Sequence, residues 1–311
     1  MISLSDTHSS NDAMVGVGVI GLGVISRYYL AALADRPDMR LVGVCDREAA
    51  RAPAGANFYD DYRSLLAAPG LDAVVITLPN SLHGSVAEAA LRAGKHVCCE
   101  KPLATDPVDA AALEQLSGDV DRVLFTAFHR RYNQNILELV DRLRDGPAPH
   151  CLKLVYRERI EEHCGRDSWY LDPAECPGCL ADNGPNAFDT ALQLVGPMWV
   201  EDAELRRDSL GVDRWARVQL RAAAGTQIEV SLDWSYERGE DKAVEVMWDH
   251  GLVDRTDMLA GFPEFKSSLS HEYRGVVDEF VHTVRGEHTR TDTGRPVAEL
   301  VTAAYRAGSP R

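Results

Sequence analysis

Lys101 is well placed in this chain to move a proton. It follows the apolar run His96-Val97-Cys98-Cys99 through Glu100, and Pro102 fixes the backbone beyond it. A lysine at the mouth of a crevice can polarise or protonate a substrate oxygen. Partial burial can lower its pKa toward use as an acid or base. The plainer reading is a surface lysine on a loop, or one that pairs with Glu100. A second group lies in residues 178–189, where Asp182, Asn186 and Asp189 recur at four and three residues. With a helix starting near Pro185, Asn186 and Asp189 share one face of its first turn, and Asp182 sits on the loop before it. Polar groups converging at a helix start suit a polyhydroxylated ligand; helix capping by Asp182 or Asn183 is the alternative. Upstream, Trp169-Tyr170 could stack on a sugar ring or fill a core.

These residues need a scaffold, and the N-terminal third supplies one. Residues 15–20 are an apolar run leading into Gly21-Leu22-Gly23, and a helical pattern begins at Ser26. Gly21 permits a tight turn, and Gly23 lets the backbone approach a pyrophosphate at the helix N-terminus. Ser26, small enough for close packing, stands where a third glycine is usual. Residues 41–45 read as a second strand ending in Asp46. That acid lies 23 residues past Gly23, near the roughly 20 expected for a carboxylate on the adenosine ribose. Asp46 repels a 2′-phosphate and points to NAD, while Arg47 could pair with one and keeps NADP open.

Strands at 71–77, 96–99 and 123–127 alternate with helices at 82–93 and 107–116. The alternation predicts a parallel, doubly wound sheet with ligands at the carboxyl ends of its strands. Asp46, Asn80, Lys101 and His129 lie at or just past such ends. From His129 the pattern changes. A helix at 136–143 precedes runs at 151–156, 203–205, 215–220, 227–234 and 244–248, which read as a mostly antiparallel sheet. A helix near 186–194 interrupts it, and helices near 272–285 and 297–306 close the chain. The expected organisation is a disordered tail over 1–13, a dinucleotide-binding Rossmann domain over 14–130, and a substrate-binding and oligomerisation domain over 131–311.

The bulk properties narrow the function classes. The net charge of −15 repels phosphate backbones and argues against a nucleic-acid partner. No apolar run reaches the roughly 18 residues of a membrane span, and the polar N-terminus does not read as a signal peptide. Seven cysteines without secretory context are expected to be reduced thiols in the cytoplasm.

On these residues the chain resembles the Gfo/Idh/MocA oxidoreductases. The matching pieces are Gly21-Leu22-Gly23-Val24-Ile25-Ser26, Cys45-Asp46, Leu78-Pro79-Asn80-Ser81-Leu82-His83, and Ala93-Gly94-Lys95-His96-Val97-Cys98-Cys99-Glu100-Lys101-Pro102-Leu103-Ala104. Residues 182–189 and Ala303-Ala304-Tyr305-Arg306 match too. The resemblance implies a Rossmann domain plus an α/β domain with a large open, mostly antiparallel sheet that often forms a homodimer or homotetramer interface. It implies hydride exchange between a nicotinamide and a secondary alcohol or ketone of a sugar, amino sugar, nucleotide sugar or cyclitol. The residues implied for the cofactor are Gly21, Gly23, Val24, Ile25, Asp46, Arg47, Pro79, Asn80, His83, Glu100 and Lys101. Those implied for substrate are His129, Arg131, Tyr170, Asp182 and Asn186, with Lys101, Asp182 and Asn186 in the catalytic group.

One position departs from the family. Many members carry His where this chain has Asn186, and an amide transfers no proton near neutral pH. Three readings follow, the first with Lys101 as the proton carrier and Asp182 orienting it; in the second Tyr170, His163 or His129 replaces the histidine; in the third turnover is lost, leaving an NAD-binding sensor. An enzyme using NAD transiently in elimination or hydrolysis also fits. Cys176-Pro177-Gly178-Cys179, with His163-Cys164 upstream, has a zinc-like spacing, but relatives often carry small residues there, so no metal is expected. An anionic substrate would need Arg130, Arg131, Arg157, Arg159 or Arg166.

Overall fold

The computed structural model describes residues 14–144, 146–164, 169–248, 251, 253–264, 266–289, 292 and 294–308. The expected tail, Arg166, and the side chains of His163 and Cys164 lie outside the described residues.

The first sheet is built from β1 (Val15–Ile20), β2 (Met39–Cys45), β3 (Phe58–Tyr59), β4 (Ala73–Ile76), β5 (His96–Glu100) and β6 (Leu124–Ala127). Their order is β3-β2-β1-β4-β5-β6 and every pairing is parallel. Every residue of β1, β4 and β6 is buried, as a sheet covered on both faces requires. The covering helices include α1 (Ser26–Ala34), α2 (Tyr62–Leu66), α3 (Asn80–Arg92) and α4 (Pro107–Asp119). The strand order reverses between β1 and β4, and ligands bind at such a switch point. There Gly21 has φ +94°, and a Cβ on it would meet the Thr77 carbonyl oxygen at 2.8 Å. Only glycine fits that turn.

The second unit opens with α5 (Gln134–Arg144), β7 (Cys151–Arg159), α6 (Ile160–Cys164) and α7 (Cys179–Val195). It continues through β8 (Met198–Arg207), β9 (Asp213–Ala222), β10 (Gln227–Asp233), β11 (Ser235–Met247) and β12 (Val253–Asp257). The sheet order is β12-β11-β7-β10-β9-β8, antiparallel except for β7 with β10. Along β7, Leu152, Leu154, Tyr156 and Glu158 are all buried, so the period of two that buries the leucines also turns Glu158 inward. α7 lies on this face, with Leu180, Ala187, Phe188 and Ala191 in one core with Val218, Val230, Leu232 and Trp234.

Three expectations need correction. α7 begins six or seven residues before the expected start, so Asp182 stands inside the helix rather than on a loop. The cap that allows this comes from far away: the Asp213 carboxylate accepts the Leu180 N–H at 2.9 Å. Pro185 sits inside the helix. β12 was not expected, since Val253-Asp254-Arg255-Thr256-Asp257 has no apolar alternation; its pairing with β11 defines it. The chain also does not divide cleanly at 130. α8 (Leu269–Val284) returns to the first sheet, where Tyr273, Val277 and Phe280 share a core with Tyr29 and Phe125. α9 (Gly294–Ala307) puts Val297 and Leu300 into the second core and Ala298 into the first. An amphipathic pattern shows that a helix has an apolar face, not which sheet covers it.

Candidate functional site

A cavity of about 660 Å³ runs from the carboxyl ends of β1 and β2, past those of β4, β5 and β6, to the inner face of β7 and α7. One end is shaped for a dinucleotide. α1 has no side-chain cap and no acid in its first turn, so its N-terminal N–H groups are available to an anion. A Cβ on Gly23 would meet no atom of the described residues beyond its chain neighbours within 4 Å, leaving room for a ligand to come close to the backbone. Ser26 Oγ donates to the Gly23 carbonyl at 2.8 Å and tightens the turn. Asp46 accepts the Leu22 N–H at 2.7 Å and the Glu48 N–H at 2.9 Å. Its carboxylate thus joins β2 to the glycine turn and keeps acceptor capacity toward the cavity. These features fit a pyrophosphate and a ribose. Val24, Ile25, Arg47, Pro79 and Asn80 line the same end.

His83 also lines the cavity, but both ring nitrogens face carbonyls. Nδ1 is 2.7 Å from Pro102 O and Nε2 is 2.8 Å from Leu78 O. It braces the segments after β4 and β5 against each other. Glu100 is buried, and it accepts from the Tyr29 hydroxyl at 2.8 Å and the Lys101 N–H at 3.3 Å. Burial raises its pKa.

At the middle of the cavity Lys101 Nζ lies 2.5 Å from Asp182 Oδ1 and 3.0 Å from the Asp182 carbonyl. This pair, and not the alternative pairing with Glu100, engages the ammonium. The expected lowering of the Lys101 pKa is reversed as well. Burial alone would lower it, but Asp182 and Glu100 outweigh burial and raise it. Four residues on along α7, Asn186 donates from Nδ2 to His129 Nε2 at 3.2 Å, and its Oδ1 is buried without a partner among the described residues. His129 Nδ1 is 2.5 Å from Glu272, which also binds Arg130 at 2.7 Å and Asn133 at 2.7 Å. Burial drives His129 down to about 4, so it is neutral. Glu272 resists its own burial because Arg130, His129 and Asn133 hold it at about 2. Tyr170 stacks on Trp169 at 4.0 Å and faces the edge of Trp234, giving the cavity an aromatic wall.

Arg131 is misplaced as a substrate residue. It makes two 2.7 Å hydrogen bonds to Asp189 and lines a separate cavity. It is Arg130 that borders the cleft, committed to Glu272. Asp189, expected beside Asn186, is thereby turned toward Arg131. Cys176 and Cys179 are buried thiols with raised pKa values, caused first by burial. Cys179 donates to Asp213 at 3.4 Å. Among the described residues no three His, Cys, Asp or Glu side chains form a metal-binding group.

The far wall holds residues the sequence did not point to. Lys242 is 3.2 Å from Glu158 and 2.5 Å from Glu240. Lys266 pairs with both carboxylates, and Asn183 donates to Glu158 at 3.1 Å. Burial pulls Lys242 down to about 8, while Lys242 and Lys266 overcome the burial of Glu240 and hold it at about 2. Residues 237–242 lie between the expected runs at 227–234 and 244–248, and the pairing of Glu240 opposite Glu158 places them in a strand over the cavity.

Comparison with known proteins decides the family. A family model described as "Oxidoreductase family, NAD-binding Rossmann fold" matches residues 15–128, and the Gfo/Idh/MocA C-terminal domain matches residues 148–254. Myo-inositol 2-dehydrogenase of Thermotoga maritima is 31% identical over 76% of this chain and 74% of its own length. The chain belongs to the Gfo/Idh/MocA oxidoreductase family. Its first domain is therefore an NAD-binding Rossmann domain, and the protein is an oxidoreductase with NAD as cofactor. A second relative, D-glucoside 3-dehydrogenase of Escherichia coli, is 30% identical over 59% of this chain and about half, 53%, of its own length. GenD2 from gentamicin A biosynthesis, solved in complex with NAD, shares the fold of this chain. It superposes with a TM-score of 0.88 at 22% identity, covering 98% of this chain and 97% of that one.

Proposed function

We propose that this oxidoreductase exchanges a hydride between NAD and a secondary alcohol or ketone of an uncharged or amino-bearing sugar or cyclitol, with Lys101 carrying the hydroxyl proton. The observation that carries the reading is the Lys101–Asp182 pair at 2.5 Å, held where the dinucleotide crevice meets the second domain. Bound NAD supplies the hydride acceptor or donor. Gly21, Gly23, Asp46 and the start of α1 hold its phosphates and ribose. Lys101, an ammonium at neutral pH, donates to the carbonyl oxygen in reduction and must lose its proton to accept one in oxidation. Asp182 orients it. Asn186 and His129 border the substrate, and Tyr170 offers a ring face.

The preference for an uncharged substrate follows from pairing. Lys101, Arg130, Lys242 and Lys266 at that end are each already bound to a carboxylate. A phosphate or carboxylate would have to break a buried pair, leaving an uncompensated charge. The relatives named for inositol and glucoside oxidation support the substrate class. Reduced-nicotinamide formation should be followed with NAD and with NADP against myo-inositol, alkyl glucosides and amino sugars, each beside its phosphate ester. The expected result is turnover with NAD and an uncharged polyol or amino sugar. Faster turnover of the phosphate esters would reject the charge argument.

The same reading places the protein in the cytoplasm as a homodimer or homotetramer. Buried free thiols at Cys45, Cys99, Cys176 and Cys179 support a reducing compartment. Among the described residues no helix is long and apolar enough to cross a membrane. The outer face of the second sheet, with Lys153, Gln219 and Glu229, is the surface available for self-association.

A further inference from the structure

We propose that Glu272 and His129 fix the Asn186 amide so that α7 presents one carbonyl acceptor, Asn186 Oδ1, to a hydrogen-bond donor on the substrate. The ligand half of this inference rests on the sugar or cyclitol reading above; the positioning half does not.

The argument runs through proton positions. Glu272 is ionised, gripped by Arg130 and Asn133 at 2.7 Å each. An ionised carboxylate 2.5 Å from His129 Nδ1 requires that nitrogen to carry a proton. Lone pairs facing each other at that distance would repel. The neutral ring then has a bare Nε2, which can only accept. Its neighbour at 3.2 Å must be a donor, so the Asn186 NH₂ turns to it. The opposite flip of the amide would set Oδ1 against a nitrogen lone pair. With the NH₂ committed, Oδ1 is left buried with no partner among the described residues, on a residue only 5% exposed that lines the cavity.

A buried unpaired carbonyl is costly, and a substrate hydroxyl or ammonium removes that cost. The backbone below is fixed too, since Thr190 Oγ1 donates to the Asn186 carbonyl at 2.8 Å. The groups facing His129 are Glu272, Arg130, Lys101, Asn186 and the ring of Tyr273, stacked at 5.2 Å. Only Glu272 stabilises a second ring proton; Arg130 and Lys101 oppose it. Asn186 thus does not replace a proton-transferring side chain. It reads a neighbouring hydroxyl or amine, and His129 and Glu272 are positioning residues.

The test has two arms. The protein with NAD is labelled with ¹⁵N in its histidines, and His129→Gln identifies the His129 signals by their loss. The expected spectrum at neutral pH shows Nδ1 protonated and Nε2 bare. An Nε2–H tautomer or an imidazolium there overturns the positioning claim, whatever the enzyme's substrate. In the second arm, Asn186→Asp, which keeps an acceptor, and Asn186→Leu, which has none, are compared on the alcohol the wild type oxidises. The leucine variant should raise KM at least about tenfold, the size of one lost hydrogen bond to a buried group, with a smaller change in kcat. An unchanged KM rejects the acceptor role. If wild type oxidises no alcohol in the panel, the substrate reading and the acceptor role fall together, while the spectrum still judges the amide orientation.

Discussion

Proton transfer by Lys101 gives the chain a directional pH dependence. The free-enzyme pKa of Lys101 is raised because two carboxylates outweigh burial. Its ammonium form therefore dominates at neutral pH, so the base needed for oxidation is the minor species. Oxidation rates (kcat/KM) should climb steadily from neutral toward alkaline pH, while reduction rates should be level and then fall as the proton is lost. Initial rates in both directions across that range check this, and an oxidation rate that is flat above neutrality would oppose it. Lys101 and Asp46 were legible because their chemistry is local: each ends a strand whose apolar run announces it. Glu158, Lys242 and Lys266 were not, since they meet only across paired strands and a loop. Arg131 was misread for the same reason. Two adjacent arginines look alike in sequence, and only the helix packing decides that Arg130 borders the cleft and Arg131 meets Asp189.

α7 carries both Asp182 and Asn186, so its N-terminus sets the geometry of the site. One buried carboxylate holds that end. Asp213 accepts from the Leu180 N–H, from Cys179 Sγ and from the Tyr305 hydroxyl at 2.8 Å. Asp213→Ala should lower stability by about 1–3 kcal/mol, the range for a lost cap and the buried donors left behind. It should also weaken substrate more than NAD. Asp213→Asn, which keeps an acceptor, should recover much of the loss. Denaturant midpoints and NAD calorimetry separate these outcomes, and an alanine variant with an unchanged midpoint would remove Asp213 as the cap. The strand and helix periods of the chain were readable from apolar spacing, which is why the βαβ alternation and the mostly antiparallel second sheet could be anticipated. The true start of α7 was not, because the carboxylate that caps it lies more than thirty residues away in sequence.

α8 and α9 tie the two sheets into one molecule, and the buried charges between them link its stability to pH. His129 falls from 6.5 to about 4 in the folded protein. Below 6.5 the unfolded chain binds a proton that the native state refuses, so stability drops as pH falls toward 4. The fall from 6.5 to about 4 corresponds to about 3 kcal/mol. Glu272 acts in the same direction at lower pH: its stabilisation is present above its unfolded value of 4.5 and is lost as pH falls to about 2. His129→Gln should flatten the stability profile between 6.5 and 4, as read by denaturant unfolding at each pH. A profile as steep as wild type would place the acid sensitivity elsewhere. At this scale the sequence showed two sheets but not the return of α8 to the first, since an apolar stripe names no partner. The account as a whole turns on Lys101 acting in the chemistry and not in cofactor binding. The most direct measurement is reduced-nicotinamide formation by wild type and Lys101→Ala on the same alcohol, with NAD affinity taken by calorimetry on both. The expected result is a loss of roughly 10²–10⁴ in kcat with NAD affinity changed by less than about threefold, well under the tenfold that 1.4 kcal/mol would give. Retained turnover, or a loss of NAD binding as large as the loss of turnover, would contradict it.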